Sequence, residues 1–376
     1  MTSKTTPNRG MQQDARAWLT FTDSHYLAAQ RQVSSPLAQG ILGPRISARK
    51  LIRTLQDHPL IGANGGEQRL GDNGYGSTLP WSFNGTSDYI QLALIIEVLR
   101  MFTPVSDDAN QGVSSYALKH TAERFLEPHL GYVSNGQLIW AAAALGLPLS
   151  AEGTSDTNLM VGVSEREHDY VNRMASPGRR RPVANHFQPA GYEFLKSALP
   201  RAAAGEILSS RFTPPAIAVE PAPFHDWLSL QTGRHDPVGD LARDYDEGVH
   251  SSDHDIARTP DQMLTVLQGV PHAPEAYIAV VGAIGEWMRI NPSAPRIRTE
   301  LVNRDHGDHR GWGAGAGTVE RYEYLCPCGD GVILEEHDNI PGFRENDVRI
   351  LCPVCSDLWQ LVYNRGVRDW GLEPKL

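Results

Sequence analysis

Cysteine is scarce in this chain of 376 residues, and all four copies stand near its C-terminal end: Cys326, Cys328, Cys352 and Cys355. Their arrangement is C-x-C, an interval of 23 residues, then C-x-x-C. Thiolates are soft donors, and four of them satisfy a tetrahedral Zn2+ ion with no position left for a substrate. Such a closed site is structural, because metal affinity becomes folding energy for a module too small to build its own core. The first knuckle is one residue shorter than the usual C-x-x-C, which makes His337 an alternative ligand to one thiolate. An iron site is a further use of these residues. Two disulfides are another, disfavoured by a cytoplasmic setting.

Arginine spacing carries the second chemistry. Arg45, Arg49 and Arg53 recur every four residues, with Lys50 beside them, so a helix there presents one basic stripe. Arg179, Arg180 and Arg181 form a basic turn. Both read as phosphate contacts or as solvated surface. Three mixed clusters hold metal-ligating or acid–base residue types: His250, Asp253, His254 and Asp255; Asp305, His306, Asp308 and His309; and Glu165, Glu167, His168 and Asp169. None has the spacing of a helical metal motif. The first two read as solvated loops and the third as a charged helix start. The Gly-rich runs GDNGYGS and GWGAGAGT lack the Gly-Lys-Ser/Thr ending of a phosphate loop.

The elements that must position these residues are mostly helices. A helical pattern covers 14–32. A helix over 47–58 is capped by Ser47 and stopped by Pro59. Residues 62–88 form a long Gly- and Asn-rich loop, and Asp88 then caps an apolar helix to 102. Residues 114–127 are helical. A further helix, 136–145, is capped by Ser134 or Asn135 and is too apolar to enter a DNA groove. Ser134, Asn135 and Gln137 at its start are candidates for holding a phosphate. Around the cysteines, β-like runs at 332–335, 348–351 and 358–363 give the three strands of a zinc ribbon.

The expected fold is mainly α, a multi-domain helical bundle with a small C-terminal β zinc ribbon. The divisions are a disordered tail at 1–10, an N-terminal helical domain at 11–150, and linker with short helices at 151–223. A helical bundle at 224–290, a Gly-rich linker at 291–320 and the zinc ribbon at 321–376 complete the chain. Within 224–290, Phe224, Trp227 and Leu228 make one apolar helix face, Pro237 and Thr259–Pro260 start helices, and 276–290 is a fourth helix.

This segment resembles the bacterial YozE-type, sterile-alpha-motif-like helical domain. The resemblance runs through Phe224, Trp227, Leu228, Gly233, Arg234, Asp236, Pro237, Gly239, Asp240, Leu241, Ala242, Asp244 and Trp287. It implies a small helical bundle that binds partners and no catalysis; Arg234, Asp236 and Asp240 themselves read as a buried structural polar network or as a binding site. The stretches ALKHTAERFLEPHLGYVSNGQLIWAAAALGLPL and EEHDNIPGFRENDV resemble uncharacterised proteins of actinobacterial chromosomes, phages and plasmids. That implies a mobile-element or nucleic-acid-metabolism setting.

Charge narrows the function. The formal net charge is −10, which excludes a surface coated in nucleic acid. The acidity is concentrated late: residues 224–376 carry 14 basic and 25 acidic side chains. DNA or RNA contact therefore falls to the N-terminal half. A protein partner falls to the acidic bundle and the ribbon, with Trp359, Tyr363 and Trp370 as anchors. No apolar run approaches the roughly 20 residues that span a bilayer, and the polar N-terminus lacks the apolar stretch of a secretory signal. The reading is a cytoplasmic, non-enzymatic nucleic-acid-associated protein or adaptor. The alternatives are a purely protein-binding or oligomeric scaffold, and an enzyme whose site assembles only in the fold.

Overall fold

The computed structural model describes residues 9–105, 112–151, 157–208, 212–214, 221–310, 316–340 and 343–375. Of the tail expected at 1–10, residues 1–8 lie outside this set, while Arg9 and Gly10 already belong to the first helix. Most of the GWGAGAGT run, at 311–315, also lies outside it. The chain divides into two compact units, Met1–Ile217 and Ala218–Leu376.

The first unit is built on two helices that are apolar on nearly every face, α4 (Asp88–Met101) and α6 (Asn135–Leu145); only a core position suits such a helix. Around them in sequence come α1 (Arg9–Thr22), α2 (Tyr26–Ser34), α3 (Ala48–Asp57) and α5 (Ser115–Leu126). Trp18, Phe21, Trp81, Phe83, Tyr89 and Trp140 join as one aromatic cluster, with ring centroids 5.2–6.1 Å apart. The 14–32 pattern is two helices rather than one: Asp23 takes a φ of +51°, which no helix continues.

Caps behave as their residue types dictate at Ser47, which accepts from Lys50 N, and at Ser134, which forms a full capping box with Gln137. Asp88 differs. It is the first helical residue, and its carboxylate turns back to accept from Asn84 N (2.9 Å) and Gly85 N (2.7 Å), pinning the preceding loop. Within the 62–88 loop, β1 (Leu70–Gly71) and β2 (Gly74–Tyr75) make a tight hairpin against α6. A Cβ on Gly136 would sit 2.0 Å from the Gly71 carbonyl oxygen. A small sheet of order β3–β5–β4 joins Val113–Ser114, Met160–Val161 and Leu149–Ser150. Residues 159–202 are not linker. Leu159, Val161, Val171, Leu195 and Leu199, in and around α7 (Glu165–Ala175) and α8 (Tyr192–Ala203), are buried in the same core.

The second unit opens with α9 (Pro223–Ser229), α10 (Pro237–His250), α11 (Pro260–Gln268) and α12 (Pro274–Ile290). An antiparallel meander follows, in the order β6–β7–β8–β9: Leu301–Arg310, Ala316–Leu325, Val332–Ile340 and Phe343–Ile350. The short helix α13 (Pro353–Leu358) leads to a separate hairpin, β10 (Trp359–Tyr363) with β11 (Trp370–Pro374). Three expectations change here. Residues 301–310 are strand rather than linker, so Asp305, His306 and Asp308 lie on β6 and not in a loop. The 359–363 strand pairs with β11 rather than completing a three-stranded ribbon. Bundle and sheets share one core, in which Phe224, Tyr277, Ile284 and Trp287 are buried with Ile333, Trp359, Trp370 and Leu372. With thirteen helices and four antiparallel sheets among the described residues, the fold is mixed α and β, so the mainly-α expectation holds in part: the helices are there, and the C-terminal region is richer in strand than a small ribbon.

Candidate metal centre

The meander brings the two cysteine pairs together. Cys326 directly follows β7. Its N–H donates to the Gly331 carbonyl and the Gly329 N–H donates to the Cys326 carbonyl, both at 2.8 Å. This closes a tight turn in which Gly329 has a φ of +85°, a conformation that favours glycine. The turn aims the Asp330 N–H at Cys328 Sγ (3.5 Å). Across the β8–β9 hairpin, Cys352 stands at the N-cap position of α13 without a side-chain capping bond, Pro353 is the first helical residue and Cys355 the third. Close approach of the two knuckles requires Gly331: a Cβ there would lie 2.7 Å from the Cys352 Cβ.

All four sulfurs lie within 4.8 Å of one another. Cys326 and Cys355 are buried, Cys328 and Cys352 partly so, and no disulfide joins them. The pairing of Cys328 and Cys352, Sγ to Sγ, is 3.7 Å, a separation that suits a shared cation and not a covalent bond. The thiols perturb one another. A hydrogen bond from Cys326, working against burial and aided by the Tyr277 hydroxyl, holds Cys355 down to about 5. The same contact with Cys355, followed by burial, pushes Cys326 well up, and burial foremost pushes Cys328 up to about 12. The donor set, closed and all sulfur, fits a four-coordinate thiophilic metal ion.

Searches against protein-family models, curated proteins and solved structures find no match.

His337 is not part of this cluster. It is buried on β8 with both ring nitrogens engaged, Nδ1 with Asn346 Oδ1 and Nε2 with Glu335 Oε1, each at 2.6 Å. Glu335 in turn accepts from Trp370 Nε1 (2.8 Å) and Arg298 Nη2 (3.2 Å). Trp359 and Trp370, expected as surface anchors, are both buried. Tyr363 remains 45% exposed, and Leu351 and Val354, flanking Cys352, are 51% and 55% exposed.

The expected basic stripe is not on one helix, because Arg45 precedes α3 and only Arg49, Lys50 and Arg53 lie on it. Arg45 Nη1 and Arg49 Nε both bind the carboxylate of Asp14, at 2.8 and 2.9 Å, and Asp14 is buried. Arg45 also lies over the ring of Tyr89. Lys50 and Arg53 are exposed, as are Arg179, Arg180 and Arg181; the Arg180 carbonyl accepts from Arg173 Nε. Ser134, Asn135 and Gln137 are buried and bonded internally, Asn135 to the Thr157 carbonyl and Gln137 to Gln91, so they hold the fold and not a phosphate. Glu167 accepts from the Thr103 N–H and hydroxyl, and His168 is buried against Thr121. His250 pairs with Asp246. Arg234 binds Asp236 and Glu286, whereas Asp240 pairs instead with Arg243.

Sequence reasoning missed Tyr277, whose hydroxyl reaches Cys355, and the buried Glu335–His337 pair. The alternation of β8 carried a partial signal, since Glu335 and His337 fall on the same strand face as the apolar Ile333.

Proposed function

We propose that this protein is a non-enzymatic adaptor whose C-terminal unit is locked by a structural Zn2+ ion held by Cys326, Cys328, Cys352 and Cys355. The convergence of the four sulfurs within 4.8 Å carries the reading. With four thiolates bound, zinc has no open position, so its contribution is rigidity and not chemistry. The ion would tie the β7–β8 turn to α13, and through Tyr277 to α12. Exposed Leu351, Val354 and Tyr363 then supply apolar contacts for a protein partner. The YozE-type pattern around Phe224, Trp227 and Asp236 supports a partner-binding role for α9–α12.

Metal analysis tests this. One zinc per chain should survive gel filtration and disappear in the Cys326→Ser/Cys355→Ser variant, which should also lose the fold of the second unit. A chain that folds equally well without metal would refute the assignment.

A nucleic-acid role rests on the exposed Lys50, Arg53, Arg179, Arg180 and Arg181. Fluorescence anisotropy with single- and double-stranded DNA should show binding that weakens steeply with salt and is lost in Lys50→Glu/Arg53→Glu. Absence of binding at low salt would leave protein docking as the sole activity of the adaptor.

A further inference from the structure

A concavity whose lining includes none of the cysteines is present in the C-terminal unit. The end of α12, the segment 291–298 and the β10–β11 hairpin enclose a cleft of about 1000 Å³. That is at the upper end of the volume that holds a small-molecule ligand. Its lining runs against the composition around it. Residues 224–376 carry 25 acidic and 14 basic side chains, yet Arg289, Arg296, Arg298 and Lys375 face this cleft against only Asp369 and Glu373. Two of these cations are paired, Arg296 with Glu373 (2.8 Å) and Arg298 with Glu335 (3.2 Å), which leaves Arg289 and Lys375 against Asp369. An acidic unit that gathers its cations at one concavity focuses positive potential there.

One of these cations is held in place by its surroundings. The Arg298 guanidinium stacks over Trp370 (4.5 Å to the centroid) and Tyr324 (5.1 Å). Its donors are fixed by the Arg368 carbonyl (2.9 Å), the Tyr324 hydroxyl (3.0 Å) and buried Glu335 (3.2 Å). Arg289 is the complementary case: it is exposed and makes a long hydrogen bond within its own helix, to the Gly285 carbonyl at 3.4 Å. Arg298, with both terminal nitrogens spent on the protein, anchors the cleft, and the adaptable guanidinium of Arg289 is the group that suits an anion with several charged oxygens. Gln360 and Asn364 add neutral donors and acceptors to the lining.

We infer that this cleft binds a small oligoanion the size of a nucleoside phosphate. The site shares no ligand residue with the metal centre and lies in the other unit from Lys50 and Arg53, so it stands apart from both parts of the proposed function.

Calorimetric titration of the zinc-loaded full chain at low salt tests it, with magnesium-free ADP and citrate as probes. ADP should bind one to one. Arg289→Glu should weaken it at least about tenfold, the cost of one charge-assisted contact, and Arg289→Gln should weaken it less. Arg53→Glu, in the other unit, should leave it unchanged. Matching thermal melts of each variant and the parent establish that the change is local. Citrate binding as well as ADP, with the same dependence on Arg289, supports a site that reads charge alone; ADP binding without citrate supports one that reads phosphate. No heat from either probe, or equal losses in Arg289→Glu and Arg53→Glu, overturns the inference.

Discussion

The hydroxyl of Tyr277, on α12, lies 3.1 Å from the sulfur of Cys355, on α13. It also accepts the indole N–H of Trp359 at 2.7 Å. One buried side chain thus ties a helix of the bundle both to the cysteine cluster and to the hairpin that follows it. Tyr277→Phe removes the bridge and strands the Trp359 N–H, a loss of about 1–3 kcal/mol. The variant should melt at a lower temperature and surrender zinc several-fold faster to a chromogenic chelator. Unchanged release and melting would show that the hydroxyl does not support the centre.

Metal removal should act on one unit only. The buried side chains of the second unit include Cys326 and Cys355 themselves, so its core and its metal site are one structure. The first unit has a separate core. Scanning calorimetry of the zinc-loaded chain should resolve two transitions, and a strong chelator should abolish one while leaving the other within a few degrees. Serine at any of the four cysteines should have the same effect. His337→Ala should lower stability yet keep one zinc per chain, because that ring is bonded to Glu335 and Asn346. Loss of zinc in the His337 variant would contradict the all-sulfur site.

What could be read from the sequence was short-range. The cysteine spacing, the Ser47 and Ser134 caps and the proline-led starts at Pro237 and Pro260 depend on residues within a few positions of one another, and the structure reproduces them. The misreadings came where a distant partner decides. Arg45 and Arg49 look like a free stripe until Asp14, more than 30 residues earlier, is folded against them. Trp359 and Trp370 look like anchors until Tyr277 and Glu335 take their indole N–H groups. The strand at 359–363 is a different case: it follows the second knuckle directly, yet its partner is β11, also close in sequence, and not the ribbon. The basic cleft draws its residues from 289 to 375, a separation that no local motif spans.

Asp14 should prove more important to stability than any of the cations near it. Its carboxylate is buried and serves two arginines, of which Arg45 is mostly buried and Arg49 about half exposed. Breaking a buried pair costs roughly 3–5 kcal/mol, and the exposure of Arg49 reduces this, so Asp14→Ala should destabilise the first unit by about 2 kcal/mol. Lys50→Ala and Arg53→Ala should stay within about 0.5 kcal/mol of the parent, as surface changes do. Urea unfolding followed by a signal from the first unit measures all three. A neutral Asp14→Ala would mean that the arginines find solvent or other partners at no cost, and would return Arg45 and Arg49 to the set available for phosphate.

Mild acid should weaken the first unit through His168. Burial, opposed by the Ala117 backbone contact and by Asp169, and reinforced by Arg124 and Arg179, holds its pKa below the ordinary 6.5. His58 is lowered in the same direction by burial. For a base with a depressed folded pKa, the unfolded chain takes up a proton that the native state refuses. Stability is therefore fully present above pH 6.5 and declines as the pH falls from there toward the folded value. Urea unfolding at pH 7.5 and pH 5.5 should show this loss in the parent and a smaller one in His168→Gln, with His58→Gln reducing it further. His168→Gln should also cost some stability at pH 7.5, where the neutral ring is bonded to Thr121 Oγ1 at 2.9 Å. That separates the two roles: the baseline cost reports the lost hydrogen bond, and the change in slope reports the proton. Equal pH losses in parent and variant would place the acid sensitivity elsewhere in the unit.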